Sequence, residues 1–130
     1  MSIGFVSIAC LALLQFLLAL NVSLQRMHHR ISHGHPEDPA HSLYRAVVAH
    51  RNCCEFGPVF AILILVLQYA GQPAWALILA PLAVLARTLH AISLVQFSLK
   101  KANPLRRLSA GLTYTLGFLM VGLLFYSRIH

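Results

Sequence analysis

The chain has 130 residues, of which 58% are hydrophobic and only 10% are charged, whereas a water-soluble domain averages about 25% charged residues. So few charges cannot cover the surface of a soluble fold, which excludes a water-soluble globular protein and makes lipid the expected solvent. The net charge of +7 does not indicate nucleic-acid binding, because the basic residues lie between apolar runs instead of on one face of a soluble fold.

The first apolar segment, residues 3–25, is long enough to cross a bilayer, whose hydrocarbon core of about 30 Å needs roughly 20 helical residues. A secretory signal peptide is the alternative, but no Lys or Arg precedes Arg26 and the run exceeds an ordinary signal-peptide core. The polar segment 26–41 that follows holds five histidines, a glycine and two prolines, which is typical of a loop.

Three further membrane helices are predicted at 42–70, 74–99 and 105–127. Ser42 is the expected N-cap of the second helix, and Gly71-Gln72-Pro73 predicts a tight turn before the third. The chain is therefore predicted to be an all-α integral membrane protein of one domain, residues 1–130, with four helices in up-down topology.

Small residues and thiols are given packing roles. Three glycines of the fourth helix are expected to allow close helix approach: Gly111, Gly117 and Gly122. An odd number of cysteines, two of them adjacent, provides no disulfide framework, so all three are expected to be buried thiols: Cys10, Cys53 and Cys54.

Loop charge predicts the orientation of the helices. The loop at 26–41 and the loop at 100–107 carry most of the basic residues outside the helices, and an even number of spans puts them on one side. The opposite side has only Arg128 and the amino terminus. Because positive loops stay in the cytoplasm, both loops are predicted to be cytoplasmic and both termini to lie outside.

Charged residues inside the second helix are the first functional candidates, because ionisable groups at membrane depth are costly and usually functional. At about 100° per residue, Arg45, Asn52 and Glu55 fall on one side of the helix. Arg51 lies four residues before Glu55, which predicts a local ion pair. Buried, Glu55 needs such a cation to stay ionised.

The third and fourth helices add further cations. Arg87 and His90 are three residues apart and share a face, and Arg106 lies at the start of the fourth helix. We expect these cations to converge with Glu55 and Asn52 in a pocket for a carboxylate ligand, since guanidinium groups bind carboxylates bidentately. The structural alternative is equally open: a buried ion pair can simply fix helix register, and arginines can extend to lipid headgroups.

The His-rich loop suggests a third reading, a small transporter or metal-handling protein, because histidine and carboxylate side chains can bind metals. Loop histidines are usually solvated, and their spacing here matches no fixed ligand pattern. No metal site is therefore predicted.

Three short motifs resemble those of the MAPEG family, the membrane-associated proteins in eicosanoid and glutathione metabolism. In the second helix, Asn52, Glu55 and Pro58 match the family pattern in register. Arg87-Thr-Leu-His90 resembles the family's third-helix motif, in the form of its bacterial and prostaglandin E synthase branches. Asn103-Pro104-Leu-Arg106 resembles the beginning of its fourth helix. The resemblance spans nearly the whole chain.

This resemblance implies a homotrimer in a bacterial inner membrane, with sites between subunits that open to the cytoplasm. It implies glutathione as co-substrate and a lipophilic small molecule as the second reactant. The catalytic residue implied is Arg106, which would hold the glutathione thiolate, since a nearby guanidinium lowers a thiol pKa. The remaining matches and their neighbours are the implied glutathione-binding residues: Arg45, Arg51, Asn52, Glu55, Arg87 and His90.

Three departures from the family pattern accompany the resemblance. Val48 stands where the family usually has an arginine, which Arg45 or Arg51 would have to replace from a neighbouring turn. Leu94 stands where some members have a tyrosine, and Met27 where some have an arginine. The leading hypothesis is a glutathione transferase or peroxidase acting on lipophilic electrophiles or lipid hydroperoxides. The departures favour the alternative, a non-catalytic lipid-binding or scaffold protein on the same fold.

Overall fold

The computed structural model describes residues 2–70 and 74–129, the side chains at positions 74, 128 and 129 excepted. Four α-helices follow one another in this part of the chain: α1 (Ile3–His29), α2 (Ser42–Tyr69), α3 (Leu79–Gln96) and α4 (Pro104–Ile129). Within the described residues, four spans are long and apolar enough to cross a membrane, the third of them formed by α3 together with the short helical turn before it, from Trp75 to Gln96. This confirms the predicted four-helix membrane fold class. The turn predicted at 71–73 lies outside the described residues.

The carboxyl end of α1 differs from the prediction. The loop was expected from Arg26, but the helix continues to His29, because no glycine or proline occurs before Gly34 to stop it. The helix ends at Arg30, which adopts a left-handed conformation with φ of 56° and donates its backbone N–H to the carbonyls of Arg26 and Met27. Glycine is the residue that usually occupies this position.

The start of α2 also corrects the prediction. The N-cap is His41, whose ring Nδ1 accepts the backbone N–H of Leu43 at 3.1 Å. Ser42 lies inside the helix, and its hydroxyl donates to Oε1 of Gln25 at 2.7 Å. The hydroxyl that was predicted to cap α2 therefore forms a hydrogen bond with a neighbouring helix instead.

The third membrane span begins as a tighter helix. A 3₁₀ segment at Ala74–Ile78 leads into α3, which ends at Gln96, three residues before the predicted end. At the start of α4, Oδ1 of Asn103 accepts the backbone N–H of Leu105 at 2.8 Å. Pro104 opens this helix, at a position where its missing N–H would have no helical acceptor.

The third span is the most enclosed of the four. About 44% of the residues in its most apolar stretch are buried, against 22% in the corresponding stretches of α1 and α4. The helices α1 and α2 pack mainly against each other, as do α3 and α4. Phe16 of α1 and Phe118 of α4 are each 75% exposed, as expected for side chains that face lipid. Polar groups on α3 are therefore held inside the bundle.

The glycine prediction is wrong within the chain. A Cβ at Gly111 or Gly122 would meet no atom within 4 Å, and one at Gly117 would make only ordinary contact. The closest approach instead involves Gly4 at the start of α1, where a Cβ would overlap the side-chain amide of Gln68 in α2. The glycine with the tightest surroundings therefore lies on α1 and makes room for a side chain of α2.

The thiols are only partly buried. Cys53 is buried in the α2 interface, Cys54 is half-buried, and Cys10 is exposed on α1, so the prediction of three buried thiols is wrong for Cys10. A cysteine side chain can face lipid at little cost, because its thiol is only a weak hydrogen-bonding group.

Candidate functional site

The centre of the candidate site is a guanidinium group enclosed by helices. Arg87 on α3 is 2% exposed, and its Nη2 donates to both Oδ1 and the backbone carbonyl of Asn52 on α2, at 2.6 and 3.1 Å. The short contact to a neutral amide oxygen is a charge-assisted hydrogen bond. These two predicted site residues are therefore brought together, and the charge lies at the junction of α2 and α3.

The rest of the guanidinium meets α4 and an aromatic ring. Nη1 of Arg87 donates to the hydroxyl of Thr113 at 3.5 Å, and Cζ lies 5.0 Å from the centre of the Phe56 ring, within cation–π range. Nε is buried with no hydrogen-bond partner in the described part of the chain. An unpaired buried donor on a cation is costly, so this N–H is suited to donate to an oxygen of a ligand.

The predicted His90 lies one turn beyond Arg87 and is also buried. Its Nδ1 is 3.0 Å from the hydroxyl of Ser109 on α4. The same hydroxyl lies 2.7 Å from the carbonyl of Leu105. When it donates to that carbonyl, the imidazole Nδ1 donates to the hydroxyl, and Nε2 is then the acceptor of the neutral ring.

The pair Arg51–Glu55 forms as predicted but faces outward. Nε of Arg51 is 3.5 Å from Oε1 of Glu55, and the two side chains are 82% and 55% exposed. The expected convergence of these charges inside a single bundle is therefore wrong. One residue of helical rotation, about 100°, separates Arg51 from Asn52 and turns it away from α3.

The two remaining predicted arginines lie nearer the chain's basic loops. Arg45 donates from Nη1 to the carbonyl of Gln96 at 3.0 Å, closing the end of α3 against α2. Arg106 is half-buried and donates from Nη2 to the carbonyl of Lys101 at 2.9 Å. Neither guanidinium donates a hydrogen bond to Asn52 in the described part of the chain, but the backbone carbonyl of Arg106 accepts the hydroxyl of Ser109, which also contacts His90.

An apolar groove runs between α2 and α4 beside the buried centre. Its volume is about 180 Å³, and its walls include Thr113 and Phe56, the same side chains that contact Arg87. Tyr114 closes one wall by edge-to-face contact with Phe56, at a centroid distance of 5.8 Å. Phe118 continues the groove along α4. A polar centre thus adjoins an aromatic surface of the kind that accepts lipophilic molecules.

Two departures from the family pattern share one apolar cluster. Leu94 is buried in a cluster with Leu18, Cys53 and neighbouring residues, and Val48 packs against the same cluster. Where the family often has polar side chains, this chain has a dry contact among α1, α2 and α3. The polar part of the site is correspondingly reduced to the Asn52–Arg87 region.

The polar loops form their own contacts. Asp38 lies 3.0 Å from Nζ of Lys100. The backbone N–H of Ala40 and the ammonium of Lys100 hold the pKa of the Asp38 carboxyl below its ordinary value. His29 packs between the rings of His28 and His41. Among the described residues, no three His, Cys, Asp or Glu side chains gather in a group that could hold a metal ion.

Several side chains of the site were not predicted from sequence. Ser109 and Thr113 are buried hydroxyls on α4, and Phe56 is the ring beneath the guanidinium. A signal for the hydroxyls was present: they are four residues apart, and Ser109 follows Arg106 by three, so all lie on one helical face. A lone Ser or Thr in an apolar helix is otherwise indistinguishable from one that bonds its own backbone.

Comparisons with known proteins agree with the geometry. No curated protein and no solved structure matches the chain at the significance required. The MAPEG family profile matches residues 5–126, a range that contains all of α2 and α3, most of α1 and α4, and every predicted site residue. This four-helix membrane protein, with its buried arginine between α2 and α4, belongs to the MAPEG family.

Proposed function

We propose that the chain is a bacterial-type MAPEG enzyme, a membrane-bound glutathione-dependent transferase or peroxidase that acts on lipophilic electrophiles or lipid hydroperoxides. The observation that carries this proposal is the position of Arg87. It is an enclosed cation with no carboxylate within ion-pair distance in the described part of the chain, and it adjoins an aromatic groove. One location thus suits an anionic and an apolar reactant together.

Glutathione fits the donors at this location. It is a peptide with carboxylates at both ends and a thiol between them. The unpartnered Nε of Arg87 is a donor for a carboxylate oxygen. Oδ1 of Asn52 is occupied by Arg87, which directs its amide N–H groups to other acceptors. Glu55 is the matching acceptor for an ammonium group, and His90, Arg45 and Arg51 complete the proposed binding set.

The proposed reaction places a thiolate next to a lipophilic substrate. In transfer, the glutathione sulfur attacks an electrophilic carbon, a C–S bond forms, and the displaced group leaves with the electron pair. In peroxide reduction, the thiolate attacks the O–O bond and a second glutathione completes the disulfide, giving an alcohol and water. Arg106 is assigned to hold the thiolate, because a cation near sulfur lowers the thiol pKa and stabilises charge in the reaction.

The exposed ion pair of α2 supports assembly into a homotrimer. Arg51 and Glu55 lie inside a membrane-spanning helix, yet both are exposed on the isolated chain. Ionised side chains in contact with lipid are costly, so such residues normally face protein or water. A neighbouring subunit packed against this face of α2 would cover the pair and bring its own residues to the Asn52–Arg87 region.

The proposed setting is the bacterial inner membrane, with the chain as a single domain over residues 1–130. The basic loops at 26–41 and 100–107 are placed in the cytoplasm, where glutathione is found, and both termini outside. Detoxification of lipophilic compounds is the corresponding physiological role.

The second candidate function is a non-catalytic lipid-binding or scaffold protein on the same fold. The observation that favours it is the apolar cluster containing Leu94 and Val48, which fills the space where polar ligand contacts are expected from the family pattern. The aromatic groove at Phe56 and Tyr114 would then hold a lipid alone.

The experiment that separates these functions is thermal unfolding of the purified full chain in detergent, with and without glutathione. A ligand that binds only the native state at one hundred times its Kd raises stability by about 2.7 kcal/mol. Protection by glutathione, followed by turnover of a model electrophile, supports the enzyme. Protection without turnover identifies a binding protein, and no protection by glutathione contradicts the proposed function. A parallel sample with a divalent metal tests the metal-handling alternative.

A further inference from the structure

Two cavities meet at an arginine that the proposed function does not use. The first, of about 430 Å³, lies at the carboxyl end of α1 and is lined by Ser23, Arg26, Met27 and Arg30 among others. The second, of about 310 Å³, lies between α1 and α2 and is lined by Ser23, Arg26 and His50 among others. Nε of Arg26 is buried and has no hydrogen-bond partner in the described part of the chain. A cationic donor therefore lies between two spaces without an acceptor.

No carboxylate of the described residues pairs with this arginine. It has only three acidic residues against ten Lys and Arg. Glu55 is paired with Arg51, and Asp38 is paired with Lys100. Across residues 2–70 and 74–129, neither Arg26 nor Arg30 lies within ion-pair distance of a carboxylate. Glu37, the third acidic residue, is in no ion pair with either arginine, so an anion from outside the polypeptide can bind both guanidinium groups.

The backbone at Arg30 adopts a left-handed conformation that disfavours a side chain. Arg30 has a φ of 56°, and among the described residues it is the sole non-glycine with a positive φ. Glycine adopts this conformation at the end of a helix without steric cost, whereas a side chain is disfavoured there. An arginine kept in a strained position, one turn beyond Arg26, suits a ligand that needs both guanidinium groups.

The surface beside the cavities is aliphatic. Leu20, Leu24 and Met27 lie on one face of α1 at spacings of four and three residues, and Met27 is 75% exposed. Met27 is four residues from Ser23, so this face borders the cavity that holds the arginines. A molecule with an anionic head at the end of the helix and an apolar chain along it matches both surfaces.

We propose that Arg26 and Arg30, assisted by Ser23 and His50, bind the headgroup phosphate of an anionic phospholipid at the carboxyl end of α1. Phosphate oxygens match the forked donor geometry of guanidinium groups, and basic pockets beside membrane helices suit anionic headgroups. The acyl chains lie along Leu20, Leu24 and Met27. This site is separate from the Asn52–Arg87 centre and does not depend on the proposed function.

The test is native mass spectrometry of the full chain released from detergent after incubation with phosphatidylglycerol or phosphatidylcholine. Phosphatidylcholine has the same phosphate but masks its charge with an attached ammonium group. We expect preferential retention of phosphatidylglycerol, and about tenfold weaker retention in Arg26→Gln, equivalent to about 1.4 kcal/mol. The matched control is Arg107→Gln, which removes one exposed arginine near the same loops and should retain the lipid as wild type does.

A second variant gives effects of opposite sign. Arg30→Gly removes a proposed lipid contact but also relieves the left-handed backbone. We expect its phosphatidylglycerol retention to fall while the thermal stability of the delipidated protein stays equal or rises. A purely structural role for Arg30 would not separate these two measurements. This variant also keeps the test decisive if Arg26→Gln fails to fold.

Three results would overturn the proposal. The first is equal retention of phosphatidylglycerol by wild type, Arg26→Gln and Arg30→Gly. The second is thermal protection by inorganic phosphate equal to that by the lipid, which would identify a free-anion site. The third is displacement of the lipid by glutathione, which would assign these arginines to the glutathione site.

Discussion

Two arginine–polar pairs involve neighbouring positions of α2 and have opposite environments. Arg87 is enclosed and donates to Asn52, whereas Arg51 is exposed beside Glu55. The enclosed cation has neutral partners and no carboxylate, while the exposed cation has one. The exposed arginine is thus the one that is ion-paired, and the buried arginine is the one without a counter-charge. That is the reverse of an arrangement built for stability alone, because burying an unpaired ion is costly.

This contrast assigns different roles to the two pairs. Under the proposed function, the buried Arg87 would draw an external anion into the bundle, and the exposed pair would meet a neighbouring subunit. Each role can be tested separately, because the side chains do not share a hydrogen bond. The variants below go from the largest expected effect to the smallest.

Arg106→Ala tests whether chemistry depends on a residue outside the buried pair. We expect turnover of a model electrophile to fall about 100-fold, the order seen when a group that stabilises developing charge is removed. The trimer should survive, because within the described residues the Arg106 side chain donates to the nearby Lys101 carbonyl and to no other helix. Steady-state kinetics and size-exclusion chromatography measure the two quantities. Undiminished turnover would exclude Arg106 as the thiolate partner.

Asn52→Ala breaks the buried pair from the α2 side. The change removes Oδ1, the closest acceptor of Arg87, and leaves part of a buried guanidinium without its bond. We expect a loss of about 1–3 kcal/mol in the free energy of unfolding together with weaker glutathione binding. Denaturation in mixed micelles measures the first. A matched control is Asn103→Ala, which removes a helix cap away from the buried charge and should leave glutathione binding unchanged.

Glu55→Gln breaks the exposed pair. The helical ion pair with Arg51 contributes only about 0.3–0.5 kcal/mol on an exposed helix, so the isolated chain should lose little stability. We expect a larger loss in the stability of the assembled trimer, because a covering subunit would exclude water from the pair. Thermal dissociation followed by light scattering separates these effects. Equal stability of the wild-type and Glu55→Gln trimers would argue that no subunit covers this face.

The pairs also show what sequence reveals and what it does not. The four spans were predictable because about 20 apolar residues in succession have few alternatives to a membrane helix. Asn52, Arg87 and His90 were predictable as candidate residues because polar groups in such helices are rare, and the structure places Arg87 and His90 inside the bundle. Arg51 and Asn52 are adjacent in sequence, so the rotation of α2 about its axis decides which of them faces α3. Apolar residues occur on nearly every face of the helix, so the sequence pattern does not determine that rotation.

Other features depend on partners that are distant in sequence. His41 replaced Ser42 as the N-cap because Gln25 on α1 accepts the Ser42 hydroxyl. Thr113 joined the site because α4 brings it to Arg87. The left-handed Arg30 was not predictable, because the residue there is not glycine. These features follow from packing between helices, which local propensity does not encode.

The smallest effect concerns Asp38→Asn in the loop. The folded-state pKa of Asp38 is below its ordinary value of 3.8, owing first to the Ala40 N–H and then to Lys100. Its contribution is therefore fully present above the unfolded pKa and is lost as pH falls through the folded pKa. We expect a slight loss of stability in Asp38→Asn at neutral pH that disappears in strong acid. Thermal melts over an acidic pH series measure it, and a difference that grows as pH falls would contradict this sign.

The most direct test of the account is calorimetric titration of glutathione into the purified wild type and Arg87→Met. Methionine keeps an apolar side chain among α2, α3 and α4 but removes the charge, so folding should be largely retained. The account predicts saturable binding by the wild type and at least about tenfold weaker binding by the variant, a difference of about 1.4 kcal/mol. Equal affinity in the two proteins would contradict the claim that the enclosed cation draws the ligand into the bundle.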